Sequence, residues 1–142
     1  MECEFPTINT GLNEIKEIFQ EVKTIAVVGL SPDPAKASHR VAKYLQEEGY
    51  KIVPIYPKEN EILGEKVYRS LTEIPFPVDM VDVFRKSKAV GPIIEACKVR
   101  GDIKVVWLQV GIVNNEAAEN AVKFGMKVVQ NRCAMVDHRN IL

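Results

Sequence analysis

Hydroxyl and cationic side chains gather just past the apolar runs of this sequence. Ser31, Lys36 and Arg40 follow the run 25–30, Lys58 follows 51–56, and Arg85 and Lys88 follow 78–84. A lysine is a point charge suited to a terminal phosphate, and an arginine presents a planar fork of donors. A hydroxyl beside the first amides of a helix completes a cradle for a diphosphate. Each residue alone has a plainer role. Lys36, Arg40 and Lys88 read singly as solvated helix charges, and Ser31 reads as the start of a turn. Their concentration after successive apolar runs is what favours an anionic ligand.

Groups that could make or break bonds are sparser. His39 stands between Ser38 and Arg40 without an evident carboxylate, and reads as a surface or packing histidine. Asp137 and His138 are neighbours in sequence, a poor arrangement for a base and its orienter, so a contact within the tail is favoured. Cys97 falls beside Ile93, Ile94 and Ala96 on a helical stripe and reads as a buried small hydrophobe. Cys133, just past the last strand and next to Arg132, is a weak candidate for a reactive thiol. Trp107 reads as core, with the lining of a ligand site as the alternative. Asp79 and Asp82 fall on opposite strand faces and make no convincing acid–base pair. Without CxxC, HxxxH or HxE there is no zinc pattern.

Something must hold these groups in place. The chain has 142 residues, enough for one sizeable core and short for two, so residues 1–142 are expected to form one domain. Nineteen basic and nineteen acidic side chains cancel, so no long-range field draws the chain to nucleic acid or an anionic membrane. An anionic partner has to be met by a local cluster. The longest apolar stretches are about six residues, far short of the ~20 that span a bilayer. Met1-Glu2-Cys3-Glu4 does not open like a signal peptide, and Cys3, Cys97 and Cys133 form no paired framework. A cytoplasmic location is expected.

The elements follow from periodicity. Leu12, Ile15, Ile18, Phe19 and Val22 predict a helix over 10–22 started by Asn9 or Thr10. The runs 25–30, 51–56, 78–84, 103–108 and 126–130 predict buried strands, and Val67-Tyr68 a short one. Ala37, Val41, Tyr44 and Leu45 predict the second helix, with Asp33 as its cap and Pro34 at its first position. Residues 58–65 read as a charged loop around Gly64, followed by one helical turn near Leu71–Ile74. A helix then runs to Arg100, with Pro92 forcing a late start or a kink. Asn114 caps a helix over 115–124, and 131–142 reads as a polar tail. Strands separated by helices require right-handed crossovers. The expected fold is α/β, Rossmann-like and doubly wound, with a mainly parallel sheet of about five or six strands and helices on both faces.

In such a fold ligands lie beyond the carboxyl ends of the strands, where the strand order reverses. The first loop there has only the first glycine of G-x-G-x-x-G, and the second strand runs Pro54-Ile55-Tyr56-Pro57-Lys58 with no acid for a ribose. Both absences count against a nicotinamide-linked oxidoreductase. No GxxxxGK[ST] is present, which excludes a P-loop.

Five segments occur in a telling order. They are Val28-Gly29-Leu30-Ser31, Pro54-Ile55-Tyr56-Pro57-Lys58, Val81-Asp82-Val83-Phe84-Arg85, Val106-Trp107-Leu108-Gln109-Val110-Gly111, and Asn131-Arg132-Cys133 through Asp137-His138-Arg139. Over residues 15–142 the chain resembles the single-domain CoA-binding protein family, which is similar to the CoA-binding Rossmann domain of the succinyl-CoA synthetase α-subunit. The resemblance implies coenzyme A held by its ADP half. It places Gly29 and Ser31 at the diphosphate with Lys36 or Arg40 beside it, and Tyr56 and Lys58 at the adenosine and its 3′-phosphate. Phe84, Arg85 and Lys88 match the turn after the fourth strand, and Gln109 and Gly111 the loop where the synthetase pattern has Glu-Gly. Pro32-Asp33-Pro34 replaces a stretch richer in glycine, and nothing here matches the synthetase's phosphorylated histidine.

Three functions stay open at this stage. The first is a coenzyme A-binding carrier, sensor or partner module without chemistry of its own, alone, with a protein partner or as a homo-oligomer. The second is an enzyme acting on a CoA thiol or thioester through Cys133. The third is a NAD-type nucleotide-binding oxidoreductase.

Overall fold

The computed structural model describes residues 5–8 and 10–142; Cys3 and Asn9 lie outside the described residues. The first helix, α1 (Leu12–Glu21), leads into β1 (Thr24–Val28), α2 (Ala37–Glu47) and β2 (Lys51–Ile55). A hairpin of β3 (Glu61–Ile62) and β4 (Glu65–Lys66) intervenes before β5 (Met80–Val83). The chain continues through α3 (Val90–Arg100), β6 (Val105–Leu108), α4 (Asn115–Phe124), β7 (Lys127–Val129) and α5 (Ala134–Ile141).

Five strands form one parallel sheet in the order β2-β1-β5-β6-β7. Tyr68 adds a single parallel bridge to Ile55 on the outer edge of β2. Counting that bridge as a vestigial strand, the spatial order is 3-2-1-4-5-6, that of dinucleotide-binding sheets. The chain therefore has the expected Rossmann-like α/β fold, and the order reverses between β1 and β5.

Side chains alternate across the sheet. On one face Val53, Ala26, Val81, Val106 and Val128 pack against Ile94, Cys97, Ala118 and Ala121 of α3 and α4. On the other, Ile25, Val27, Met80, Trp107 and Val129 pack against Ile15, Ile18, Val41, Leu45 and Ala134 of α1, α2 and α5. Trp107 is fully buried, with Nε1 donating to the Arg132 carbonyl at 2.8 Å, so it is core. Cys97 is buried too, and burial pushes its thiol up to about 12. No helix among the described residues is long and apolar enough to cross a membrane.

Four local expectations are corrected. Helix α1 starts from Gly11 without a side-chain cap, and the Thr10 hydroxyl donates instead to the Val128 carbonyl at 3.1 Å. Asp33 does not cap α2: its Oδ1 accepts from Ala35 N at 2.9 Å, closing a turn of its own, and Lys36 is the residue before the helix. The charged loop 58–65 contains the hairpin, whose Leu63 and Gly64 both have positive φ (55° and 76°), as a tight primed turn requires. The polar tail is helix α5. Its buried residues Ala134, Asp137 and His138 and its Ile141 recur at helical spacing, but two are polar and hid the stripe. Asp137 is buried because Arg132 pairs with both its oxygens (2.6 and 3.0 Å), and His138 because Tyr44 hydroxyl meets its Nδ1 at 2.7 Å. As for Pro92, α3 starts two residues before it, where a missing N–H loses no helical bond.

Candidate functional site

The switch between β1 and β5 is built on close backbone approach. Gly29 has φ +87°, and a Cβ there would sit 2.6 Å from the Phe84 carbonyl oxygen. Its N–H donates to the Ile55 carbonyl while Phe84 N–H donates to the Val28 carbonyl, both at 2.9 Å. The three loops that follow β1, β2 and β5 are thus tied at one point. Gly29→Ala is expected to cost about 2 kcal/mol or more, because the left-handed backbone penalty of ~1–2 kcal/mol adds to a clash with backbone. Gly111 also has positive φ but meets nothing within 4 Å, so Gly111→Ala should lose only the backbone penalty. Chemical denaturation of the two variants measures the difference, and equal losses would contradict the packing argument.

The loop after Gly29 is held by small polar contacts. Ser31 N–H donates to Ser38 Oγ at 3.0 Å, and Asp33 N–H donates to Ser31 Oγ at 3.1 Å. His39 Nδ1 lies 2.9 Å from the Ser31 carbonyl oxygen, so this histidine braces the loop. Helix α2 has no side-chain cap, and among the described residues the N–H groups of Ala37 and Ser38 have no acceptor. Lys36 and Arg40 flank them, and Arg40 Nη1 donates to the Ala35 carbonyl. At the end of β2, Arg69 Nη1 donates to the carbonyls of Tyr56 and Lys58, each at 2.9 Å.

Lys36, Arg40, Lys58, Arg69, Arg85, Lys86 and Lys88 are all exposed, and none has a carboxylate partner among the described residues. The ion pairs sit elsewhere. This leaves the carboxyl edge of the sheet positive on a chain of zero net charge.

A cavity of about 480 Å³ opens at this edge, between α2 and the start of α5. Phe84, Arg85, Gln109, Gly111 and Cys133, all singled out in the sequence, line it together. Lys86 lines it and Lys88 does not. Sequence reasoning missed Lys86 and Arg69: both needed the turns' three-dimensional course. Cys133 immediately precedes α5, and the charge of Arg132 is committed to Asp137 rather than turned to the thiol. Asp137 and His138 do not act on each other.

Asp82, set aside in the sequence as no acid–base partner of Asp79, is a third residue whose place at this edge the sequence did not show. It is fully buried in β5, its Oδ1 accepts from Gln109 Nε2 at 2.7 Å, and its Oδ2 has no partner. Burial pushes its carboxyl up to about 7, against the Gln109 hydrogen bond that lowers it. A charged residue inside the apolar stretch 80–84 was the available clue. Asp79 lies at the far end of the sheet, accepting from the N–H groups of Lys23 and Thr24.

A larger cavity, about 640 Å³, lies at that far edge. Glu21, Asp79 and Asp102 stand with Lys104 and Lys127 in its lining, so it carries no excess of positive charge, and the fold places no strand carboxyl ends there. Geometry and charge both point to the edge around Gly29.

A family model described as a CoA binding domain matches residues 23–139. The chain belongs to the CoA-binding domain family. It is 43% identical over 130 residues to the uncharacterized protein YneT of Bacillus subtilis (strain 168), covering 92% of this chain and 96% of that one. It is 32% identical over 137 residues to the α subunit of the ADP-forming acetate–CoA ligase II of Pyrococcus furiosus, covering 88% of this chain but only 30% of the subunit. Among solved structures, a hypothetical protein from Pyrococcus horikoshii OT3 superposes with a TM-score of 0.90 at 39% identity, covering 99% of both chains. The family suggested by the ordered motifs is thus the family found, and the ligase relation carries the likeness to synthetase α-subunits.

Proposed function

We propose that this CoA-binding domain holds coenzyme A at the carboxyl edge of its sheet, as one non-catalytic domain serving as carrier, sensor or partner module. The observation that carries this reading is the group of unpaired cations around the β1–β5 switch of an otherwise neutral chain. The diphosphate lies on Gly29, Ser31 and the free amides of Ala37 and Ser38, with Lys36 and Arg40 beside it. Tyr56 and Lys58 take the adenosine and its 3′-phosphate, and Arg69 fixes their turn. The pantetheine arm then runs towards the cavity of Phe84, Arg85, Gln109, Gly111 and Cys133, with Lys88 as an outer charge.

The ligase activity of the Pyrococcus furiosus relative belongs to a subunit more than three times as long, and is not carried over. The placement of Cys133 in the cavity favours one second reading, in which its thiol meets the thiol or thioester end of the ligand. A NAD-type ligand fits less well, since the end of β2 offers a lysine where a ribose diol wants a carboxylate.

Titration calorimetry tests the ligand. Coenzyme A is expected to bind at micromolar strength or better and NAD much more weakly. Affinity should fall with salt, because about four ligand charges are met by exposed groups. Equal or reversed affinities would overturn the proposal.

A further inference from the structure

The Asp82–Gln109 pair fixes what the cavity offers a ligand. Gln109 is 4% exposed and Asp82 is fully buried. An amide has two ends, a donor and an acceptor, and Gln109 Nε2 is already held by Asp82 Oδ1 at 2.7 Å. Among the described residues Gln109 Oε1 has no partner, yet the buried side-chain polar atom that lacks one is Asp82 Oδ2. Oε1 is therefore not sealed in the core, and the open space that Gln109 borders is the 480 Å³ cavity. Arg85 and Lys86 in the same lining can only donate, and a cysteine sulfur accepts weakly. The Gln109 carbonyl is the good side-chain acceptor of this cavity.

We propose that Gln109 accepts a hydrogen bond from an amide N–H of the ligand's arm, and that Asp82 is a positioning residue that turns the Gln109 carbonyl towards it. This rests on the coenzyme A reading, because the arm of that ligand carries secondary amides. A ligand bearing only phosphates or carboxylates would engage Arg85 and Lys86 and leave the Gln109 carbonyl unused. Asp82 needs only to accept at Oδ1, and an asparagine oxygen at the same place accepts equally well.

Calorimetric titrations with coenzyme A and with adenosine 3′-phosphate 5′-diphosphate, which lacks the arm, separate the effects. Gln109→Met is expected to weaken coenzyme A by about 3- to 10-fold, the worth of one neutral hydrogen bond, and to leave the armless ligand unchanged. Asp82→Leu should reproduce that loss, Asp82→Asn should retain wild-type binding, and Gln109→Met with Asp82→Leu should lose no more than either alone. Equal weakening of both ligands by Gln109→Met, no weakening of coenzyme A, or Asp82→Asn binding as poorly as Asp82→Leu would overturn the assignment. Should Asp82→Leu fail to fold, the side-chain ¹⁵N signal of Gln109 in the wild-type protein decides. It should move on adding coenzyme A and stay still with the armless ligand; movement with both or neither contradicts the proposal. Failure of the wild type to bind either ligand refutes coenzyme A binding itself, a result distinct from wild-type binding that the Gln109 variant leaves unaltered.

Discussion

Lys58→Ala is expected to weaken coenzyme A by about 10- to 150-fold while hardly changing dephospho-coenzyme A. The ribose 3′-phosphate separates the two ligands and adds roughly two negative charges near neutral pH. Lys58 is exposed and has no carboxylate partner among the described residues although Glu59 and Glu61 follow it closely, so its charge is available. Its backbone does not wander: Pro57 restricts φ just before it, and Arg69 clamps the carbonyls of Tyr56 and Lys58 from the side. A hydrogen bond to a charged group is worth ~1.5–3 kcal/mol, which gives the stated range. Paired titrations of wild type and variant with both ligands measure it. Equal weakening of both would make Lys58 a general field and move the 3′-phosphate to Lys36, Arg40 or Arg85.

The second large effect concerns stability. An aspartate has an unfolded value near 3.8, and burial raises Asp82 to about 7 in the fold. Between those values the folded protein keeps a proton that the unfolded chain has lost. Stability from this group is therefore complete below about pH 4 and is lost as pH rises to about 7, on the order of 4 kcal/mol in all. Asp82→Asn removes that slope, so relative to wild type the variant should gain stability between pH 4 and pH 8 by a few kcal/mol. His138, held below the ordinary histidine range by burial, acts in the opposite sense: stability is lost as pH falls below about 6.5. Because both proteins contain His138, comparing them at each pH cancels it. Urea melts at pH 4, 6 and 8 supply the measurement; parallel pH profiles would show that Asp82 ionises normally in the fold.

The parts of the fold that depend on apolar periodicity were legible in the sequence. Each long apolar run became a strand, and the stripe through Val41 and Leu45 became α2. What escaped were elements stabilised by pairing rather than by apolar surface. Helix α5 buries Asp137 and His138, whose partners Arg132 and Tyr44 come from elsewhere in the chain. The short strand at Val67-Tyr68 shrank to a bridge at Tyr68, because Val67 N–H turns back to the Asn60 carbonyl rather than to β2.

Within the candidate site, Gly29 marked the turn after β1, whereas Ser31, Lys36 and Lys58 each had a plainer reading and stood out only as a group. Phe84, Arg85, Gln109, Gly111 and Cys133 were each singled out, but that they share one cavity is a property of the sheet order. Lys86 and Arg69 were invisible for the same reason. A lysine next to an arginine, or an arginine after a short strand, carries no directional information until the turns are placed. Asp82 was weighed only against Asp79, on the wrong face and at the wrong end, while its partner lies on the next strand.

Chemical-shift mapping shows which edge of the sheet meets coenzyme A. When coenzyme A is titrated into ¹⁵N-labelled protein, the largest backbone shifts are expected at Gly29, Ser31, Ala37, Ser38, Lys58, Arg85 and Gly111, with Asp79, Gly101 and Lys127 at the opposite edge unmoved. Shifts concentrated at that opposite edge, or none at millimolar ligand, would contradict binding at the carboxyl edge.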